Sequence, residues 1–158
     1  MSNAEAISLQ LPLAKDQLAN LKVGDKCLLS GVMYTLRDAG HVRLLDELHE
    51  QGRLPYDLDG QTIFYAGPSP AAAGRPFGAI GPTTSSRMDF AAPELYRAGI
   101  VATVGKGHRS AAVVEAIKET GGVYFAAVGG AAAALAKCIV SEEVISYADL
   151  GTEALRKI

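Results

Sequence analysis

The chain has 158 residues, of which 49% are apolar and 20% charged, and its formal net charge is −2. That is enough apolar material for one folded domain and excludes a disordered chain. The near-neutral charge gives no reason to expect nucleic acid or an anionic membrane as partner, and aromatics at 6% with no Trp leave no base-stacking platform.

The opening Ile7-Ser8-Leu9-Gln10-Leu11 alternates apolar and polar and predicts a strand, which Pro12 ends. One or two helical turns are expected over 15–21 and a turn at Gly24-Asp25. A strand follows over 26–36, or two strands broken at Ser30-Gly31. Asp38 is read as the N-cap of a helix over 39–51, with Val42, Leu45 and Leu48 on its apolar face and Gly52 as its stop. Arg37 then stands just before a helix start, and His41 in the first turn. A strand over 62–66 leads into a Pro/Gly-rich connection over 67–76, the kind of loop that tends to be functional or mobile in a compact domain.

Next comes Gly78-Ala79-Ile80-Gly81-Pro82-Thr83-Thr84-Ser85-Ser86-Arg87-Met88-Asp89. Four consecutive hydroxyls cannot sit in a core strand without hydrogen-bond partners. Gly and Pro fix an unusual backbone path. The stretch reads either as a Ser/Thr-rich turn that caps a helix or as a loop offering hydrogen bonds to an anion. Pro93 fits the first turn of a helix ending before Gly99.

The second half has a βαβ pattern. A strand is expected over 100–104, with Gly105-Lys106-Gly107-His108-Arg109 as its exit loop. Ser110 caps a helix over 111–120 that Gly121 closes. A strand over 123–128, a turn at Gly129-Gly130 and a short Ala-rich helix over 131–137 follow. Short strands over 138–140 and 144–147 and a last helical turn within 150–158 complete the reading: α/β, a single domain without repeat or linker. The apolar run over 123–136 is too short to span a bilayer, and no signal peptide is visible, so a cytoplasmic protein is expected. Cys27 and Cys138 are read as two buried, reduced thiols. With no CxxC and no His/Cys cluster, the chain alone is not expected to hold zinc or an iron–sulfur group.

A strand, Gly-Lys-Gly and a Ser-capped helix form an anion-site pattern, because helix N-terminal N–H groups carry partial positive charge. The phosphate-loop spacing fails by one residue, and the dinucleotide fingerprint lacks its third glycine. A nucleotide is therefore disfavoured, while a carboxylate stays open. Arg37, Arg87 and Lys106 emerge from three separate loops, each beside a helix start. Brought together, they would form a pocket for a dianion, with the arginines as bidentate forks and the hydroxyls of Thr83 and Thr84 within it.

Leu29-Ser30-Gly31-Val32-Met33-Tyr34-Thr35 and Arg37-Asp38-Ala39-Gly40-His41 begin a series of matches. They continue with Gly81-Pro82-Thr83-Thr84-Ser85-Ser86-Arg87-Met88-Asp89, Gly105-Lys106-Gly107, Val128-Gly129-Gly130-Ala131-Ala132 and Asp149-Leu150-Gly151-Thr152-Glu153-Ala154. In this order they resemble the β subunit, or C-terminal domain, of class I fumarases and L(+)-tartrate dehydratases, the iron–sulfur-dependent hydro-lyases. The resemblance covers nearly the whole chain.

The resemblance implies a swivelling β/β/α fold with a mixed sheet and flanking helices over 1–158. It implies a partner α subunit whose cysteines hold a 4Fe-4S cluster, in a hetero-oligomer of α2β2 type, with a homodimer open for the isolated chain. It makes Arg37, Thr83, Arg87 and Lys106 substrate-binding residues and Thr84 the catalytic base, with the general acid on the other subunit. His41, Ser85 and Asp89 are placed near the site without a role, and no metal ligand is assigned to this chain. The family usually continues past its Leu-Gly-x-Glu-Ala string into a further Pro-containing, β-rich segment, so the expectation is either a missing edge strand or a sequence trimmed at Ile158. The expected activity is reversible dehydration of a 2-hydroxy dicarboxylate, malate to fumarate. The alternatives are tartrate to oxaloacetate, or a non-catalytic dicarboxylate-binding module.

Overall fold

The structure is a computed structural model that describes residues 5–75 and 78–158. Pro76, the end of the 67–76 connection, lies outside the described residues. Two parallel strands, β1 (Ile7–Leu11) and β2 (Cys27–Gly31), form a small sheet, with the short helix α1 (Lys15–Ala19) between them. Alternation in β1 turns Leu9 and Leu11 inward. Gly31 ends β2 at φ +113°, where a Cβ would meet the Leu11 carbonyl oxygen at 2.6 Å.

A six-stranded sheet follows, with β3 (Tyr34–Thr35), β4 (Thr62–Phe64), β5 (Ala102–Gly105), β6 (Val123–Ala126), β7 (Glu143–Ser146) and β8 (Leu155–Lys157) in the order β6-β5-β4-β3-β8-β7. The run from β3 to β6 is parallel, while β8 lies antiparallel to both β3 and β7. The larger sheet is therefore mixed. Its helices are α2 (Asp38–Gln51), α3 (Ala92–Ala98), α4 (Ala111–Thr120) and α5 (Ala132–Ala136).

Strand alternation separates the layers. Ile63 and Tyr65 pack with Leu44 and Leu48 of α2 and Leu95 of α3. Phe64, Ala66 and Val104 lie in a different cluster, with Ile80 and the partly buried Leu29 and Phe125. Ala102 packs with Leu9, Leu11 and Leu18 of the small sheet and α1. The result is a β/β/α stack with the larger sheet in the middle. Each fully buried side chain such as Leu44 contributes about 1.5–3 kcal/mol of transfer free energy.

Several expectations change. The buried stripe of α2 is His41, Leu44 and Leu48, whereas Val42 is exposed. A uniform spacing of three rotates around a helix, and the 3–4 alternation through the histidine is what stays on one face. The N-cap is Arg37 rather than Asp38, and Gly52 stops the helix in the left-handed region at φ 69°. Ser110 occupies the N-cap of α4 without a side-chain cap bond. No strand forms over 138–140, because the Cys138 and Ile139 N–H groups still donate to carbonyls of α5. The expected last helical turn forms as a 3-10 turn, Ala148–Glu153, but the residues after it form the strand β8. Cys27 is half-buried and Cys138 exposed, so the two thiols are not core residues.

Candidate functional site

The parallel strands β3, β4, β5 and β6 all end on one edge, and the residues just beyond them gather there, the usual location of ligand sites in open α/β sheets. Arg37 follows β3, Gly67 to Pro70 follow β4, Lys106 follows β5, and Gly129-Gly130 follow β6. These residues, with Thr152 from the turn before β8, line a cavity of about 540 Å³. Antiparallel β8 contributes because its first residues lie beside the end of β3, where Thr35 pairs with Arg156.

Arg37 is held at its backbone and at its guanidinium. Its carbonyl accepts from the His41 N–H at 2.8 Å, and the His41 Nδ1 lies 3.0 Å from the same oxygen. His41 is fully buried, edge-on to Tyr65 at 5.2 Å. Burial pushes its pKa down to about 4, against the opposing hydrogen bond to the Arg37 carbonyl. The ring is therefore neutral at physiological pH and donates from Nδ1. It supports Arg37 from beneath rather than meeting a ligand.

The guanidinium Nε of Arg37 is buried, lies 3.6 Å from Asp38 and 3.7 Å from Glu153, and hydrogen-bonds to neither. Asp38 is also gripped by Arg87, with Nε to Oδ1 at 2.8 Å and Nη2 to Oδ2 at 2.6 Å. Burial pushes the Asp38 carboxyl up, but its own N–H, Arg87 and Arg37 together outweigh that and hold it below the usual carboxylate range. One carboxylate thus links the two arginines.

The hydroxyl stretch runs beside the β5 exit. Thr83 N–H donates to the Tyr65 carbonyl at 2.7 Å, Lys106 N–H to Thr83 at 3.1 Å, and Ser85 N–H to Lys106 at 2.8 Å. Thr84 sits between these bonds, bridged to Lys106 and exposed. A 3-10 turn, Ser85–Met88, then carries Arg87 toward Asp38. Ser85 is buried, and its hydroxyl lies 2.9 Å from that of Tyr124. Since Tyr124 spends its proton on the Gly107 carbonyl at 2.8 Å, Ser85 is the donor of that pair. A Cβ on Gly105 would collide with the Ser85 hydroxyl, which accounts for glycine there.

The structure therefore brings Arg37 and Lys106 to one cavity, Thr83 and Thr84 alongside Lys106, and Arg87 against Asp38. Asp89 is engaged elsewhere. Its carboxylate pairs with Arg109 at 2.8 Å and accepts the Ser110 N–H at 2.6 Å. Arg109, whose side chain is only 3% exposed, also donates to Thr103 at 3.0 Å and Tyr65 at 3.1 Å and lies over the rings of Tyr65 and Tyr124. Sequence reasoning places Arg109 in a loop, reads Asp38 only as a helix cap, and gives no role to Glu153 or Arg109. Their partners are distant in the chain, and no local spacing announces them.

The Fumarase C-terminus family model matches residues 1–158. The chain is 37% identical over 144 residues to "Fumarate hydratase class I, aerobic" of Escherichia coli, covering 90% of this chain and 26% of that protein. It is 34% identical over 157 residues to "Fumarate hydratase 2" of Leishmania major, covering 96% of this chain and 28% of that protein. It is 36% identical over 140 residues to "Putative L(+)-tartrate dehydratase subunit beta" of Methanocaldococcus jannaschii, covering 87% of this chain and 72% of that protein. The chain belongs to the fumarase C-terminus family, and it spans little more than a quarter of the fumarate hydratases it matches.

Among the described residues the available donors do not fit an iron–sulfur cluster. Among the described residues no three His, Cys, Asp or Glu side chains gather as metal ligands, and the two cysteines lie on β2 and beyond α5. No helix among the described residues is long and apolar enough to cross a membrane.

Proposed function

We propose that this chain is the substrate-clamping β subunit of a two-subunit hydro-lyase that reversibly dehydrates a 2-hydroxy dicarboxylate, malate to fumarate. The observation that carries the proposal is the meeting of Arg37 and Lys106 at one cavity, with Thr84 bridged to Lys106. Two cations entering a cavity of this size suit a short dianion, each binding one carboxylate. Arg87 commits Nε and Nη2 to Asp38, which leaves Nη1 for the ligand. Thr83 would contribute its hydroxyl.

Thr84 would take the proton bound to the carbon next to the one bearing the hydroxyl. A threonine does this only as its alkoxide; Thr84 is exposed, so its own proton would pass to solvent, and the positive field of Lys106 and the two arginines favours that loss. The hydroxyl would leave as water after taking a proton from a general acid of a partner α subunit, which would also hold the cluster. The same geometry serves a tartrate, with oxaloacetate as product, and the relative from Methanocaldococcus keeps that reading as the second choice.

The test is an anaerobic assay of the chain mixed with its cluster-bearing partner, against malate, fumarate and both tartrate enantiomers. The chain alone is expected to be inactive and the complex active. Activity of the chain alone would overturn the divided-site reading, and dicarboxylate binding with no turnover in the complex would favour a binding module. Thr84→Ala in the complex should lower kcat at least about a hundredfold with KM little changed, as general base catalysis contributes about 10²–10⁴. A pure KM effect would make Thr84 a binding residue.

A further inference from the structure

Arg37 projects into the cavity from a short link between β3 and α2, and a long arginine on such a link has rotamer freedom that a precise clamp must remove. Glu153 is placed to remove it. One carboxylate oxygen accepts the Ala39 N–H at 2.9 Å, capping α2 from another part of the chain. The other lies 3.7 Å from the buried Arg37 Nε, and both side chains are about one-quarter exposed. The surroundings are cut to fit. A Cβ on Gly40 would stand 2.6 Å from the Glu153 carbonyl oxygen. A Cβ on Gly67 would stand 2.5 Å from the Thr152 carbonyl oxygen and 2.8 Å from Arg37 Cδ. Two glycines thus let the Thr152-Glu153 turn close on the helix start and on the arginine stem.

We infer that Glu153 is a positioning residue that holds Arg37 by its Nε edge, so that the remaining N–H groups are presented to a substrate carboxylate. It acts through Arg37 and touches no reacting atom. This rests on the reading of Arg37 as a carboxylate ligand. Glu153→Gln keeps an oxygen for the Ala39 N–H but removes one of the two charges beside Nε, the Asp38 carboxylate at 3.6 Å remaining, so the helix cap survives while the arginine is held less firmly. A ligand that binds ground and transition states alike affects KM rather than kcat.

The experiment is a double-mutant cycle in the two-subunit complex with malate, using wild type, Glu153→Gln, Arg37→Ala and the double variant, with circular dichroism to confirm the fold. Glu153→Gln is expected to raise KM about threefold with kcat changed less than about twofold, the size expected for a partly exposed ion pair without a hydrogen bond. In the Arg37→Ala background it should add nothing. An unchanged KM in Glu153→Gln, or effects that multiply independently, would overturn the positioning role while leaving Arg37 as ligand. An unchanged KM in Arg37→Ala would overturn the site reading itself. If Glu153→Gln does not assemble, Glu153→Asp, too short to reach both partners, is held to the same criteria.

Discussion

Removing the Asp89 carboxylate should destabilise this domain more than any change in the cavity. The Arg109 side chain is 3% exposed and that of Asp89 11%, so the pair is screened little by water. Asp89→Ala strips the guanidinium of its counter-charge and leaves only the Thr103 and Tyr65 oxygens as acceptors. It also leaves the Ser110 N–H, at the start of α4, without its acceptor. Breaking one side of a buried pair typically costs about 3–5 kcal/mol, because an uncompensated charge stays behind. Typical domain stability is about 5–15 kcal/mol, so this is a large share. The assay is urea unfolding followed by circular dichroism, alongside a thermal melt. At about 2–4 °C per kcal/mol for a chain of this size, the midpoint should fall by roughly 6–20 °C. Asp89→Asn keeps an oxygen for the Ser110 N–H and should lose about half as much free energy. A loss below about 1 kcal/mol in Asp89→Ala would refute the claim that this ion pair is a buried structural tie.

His41 makes the stability pH-dependent. Its folded-state pKa of about 4 lies below the ordinary 6.5, so the unfolded chain binds the proton more readily, and stability falls as pH drops from about 6.5 toward 4. The full contribution is about 3 kcal/mol, present above pH 6.5. Urea unfolding between pH 7.5 and 4.5 should show a shallower slope in His41→Phe than in wild type, and identical slopes would contradict the burial argument. Gly67→Ala should cost about 1–3 kcal/mol and raise KM for malate in the complex, because the new methyl meets both the Thr152 carbonyl and the Arg37 stem. A variant with wild-type melting and KM would show that the turn yields freely. A chromogenic thiol reagent should modify exposed Cys138 quickly and Cys27 slowly, since burial and then nearby Asp25 push the Cys27 thiol up. Equal rates would count against that difference.

Local signals carried much of the fold. Alternation placed β1, the left-handed glycines at 52 and 121 stopped α2 and α4, and Pro93 marked the first turn of α3. What failed was non-local. Leu155-Arg156-Lys157 has no strand pattern of its own and becomes β8 only because β3 and β7 supply partners on both sides. His41 is expected only as a polar first-turn residue near the site, and nothing local marks it as buried, yet a carbonyl one turn back accepts from its Nδ1. Arg109 carries a charge that sequence reasoning assigns to solvent, and only the assembled rings and acid make its burial tolerable.

The same distinction explains why the cations of the proposed site stand out in the sequence and their arrangement does not. Arg37, Arg87 and Lys106 announce themselves by type and by position beside helix starts. Their separation in sequence says nothing about how three positive groups share one edge without driving it apart. The answer lies in two carboxylates that carry no catalytic signature, Asp38 between the arginines and Glu153 behind Arg37. Among the described residues, none of the ion pairs around the cavity involves Lys106. The arginines are thus partly neutralised by their carboxylates, while the lysine, on its flexible stem, would under the proposed reading stay available to a ligand. Under the proposed reading, a half-compensated end and an uncompensated end would make a clamp that is stable when empty and still attracts a dianion.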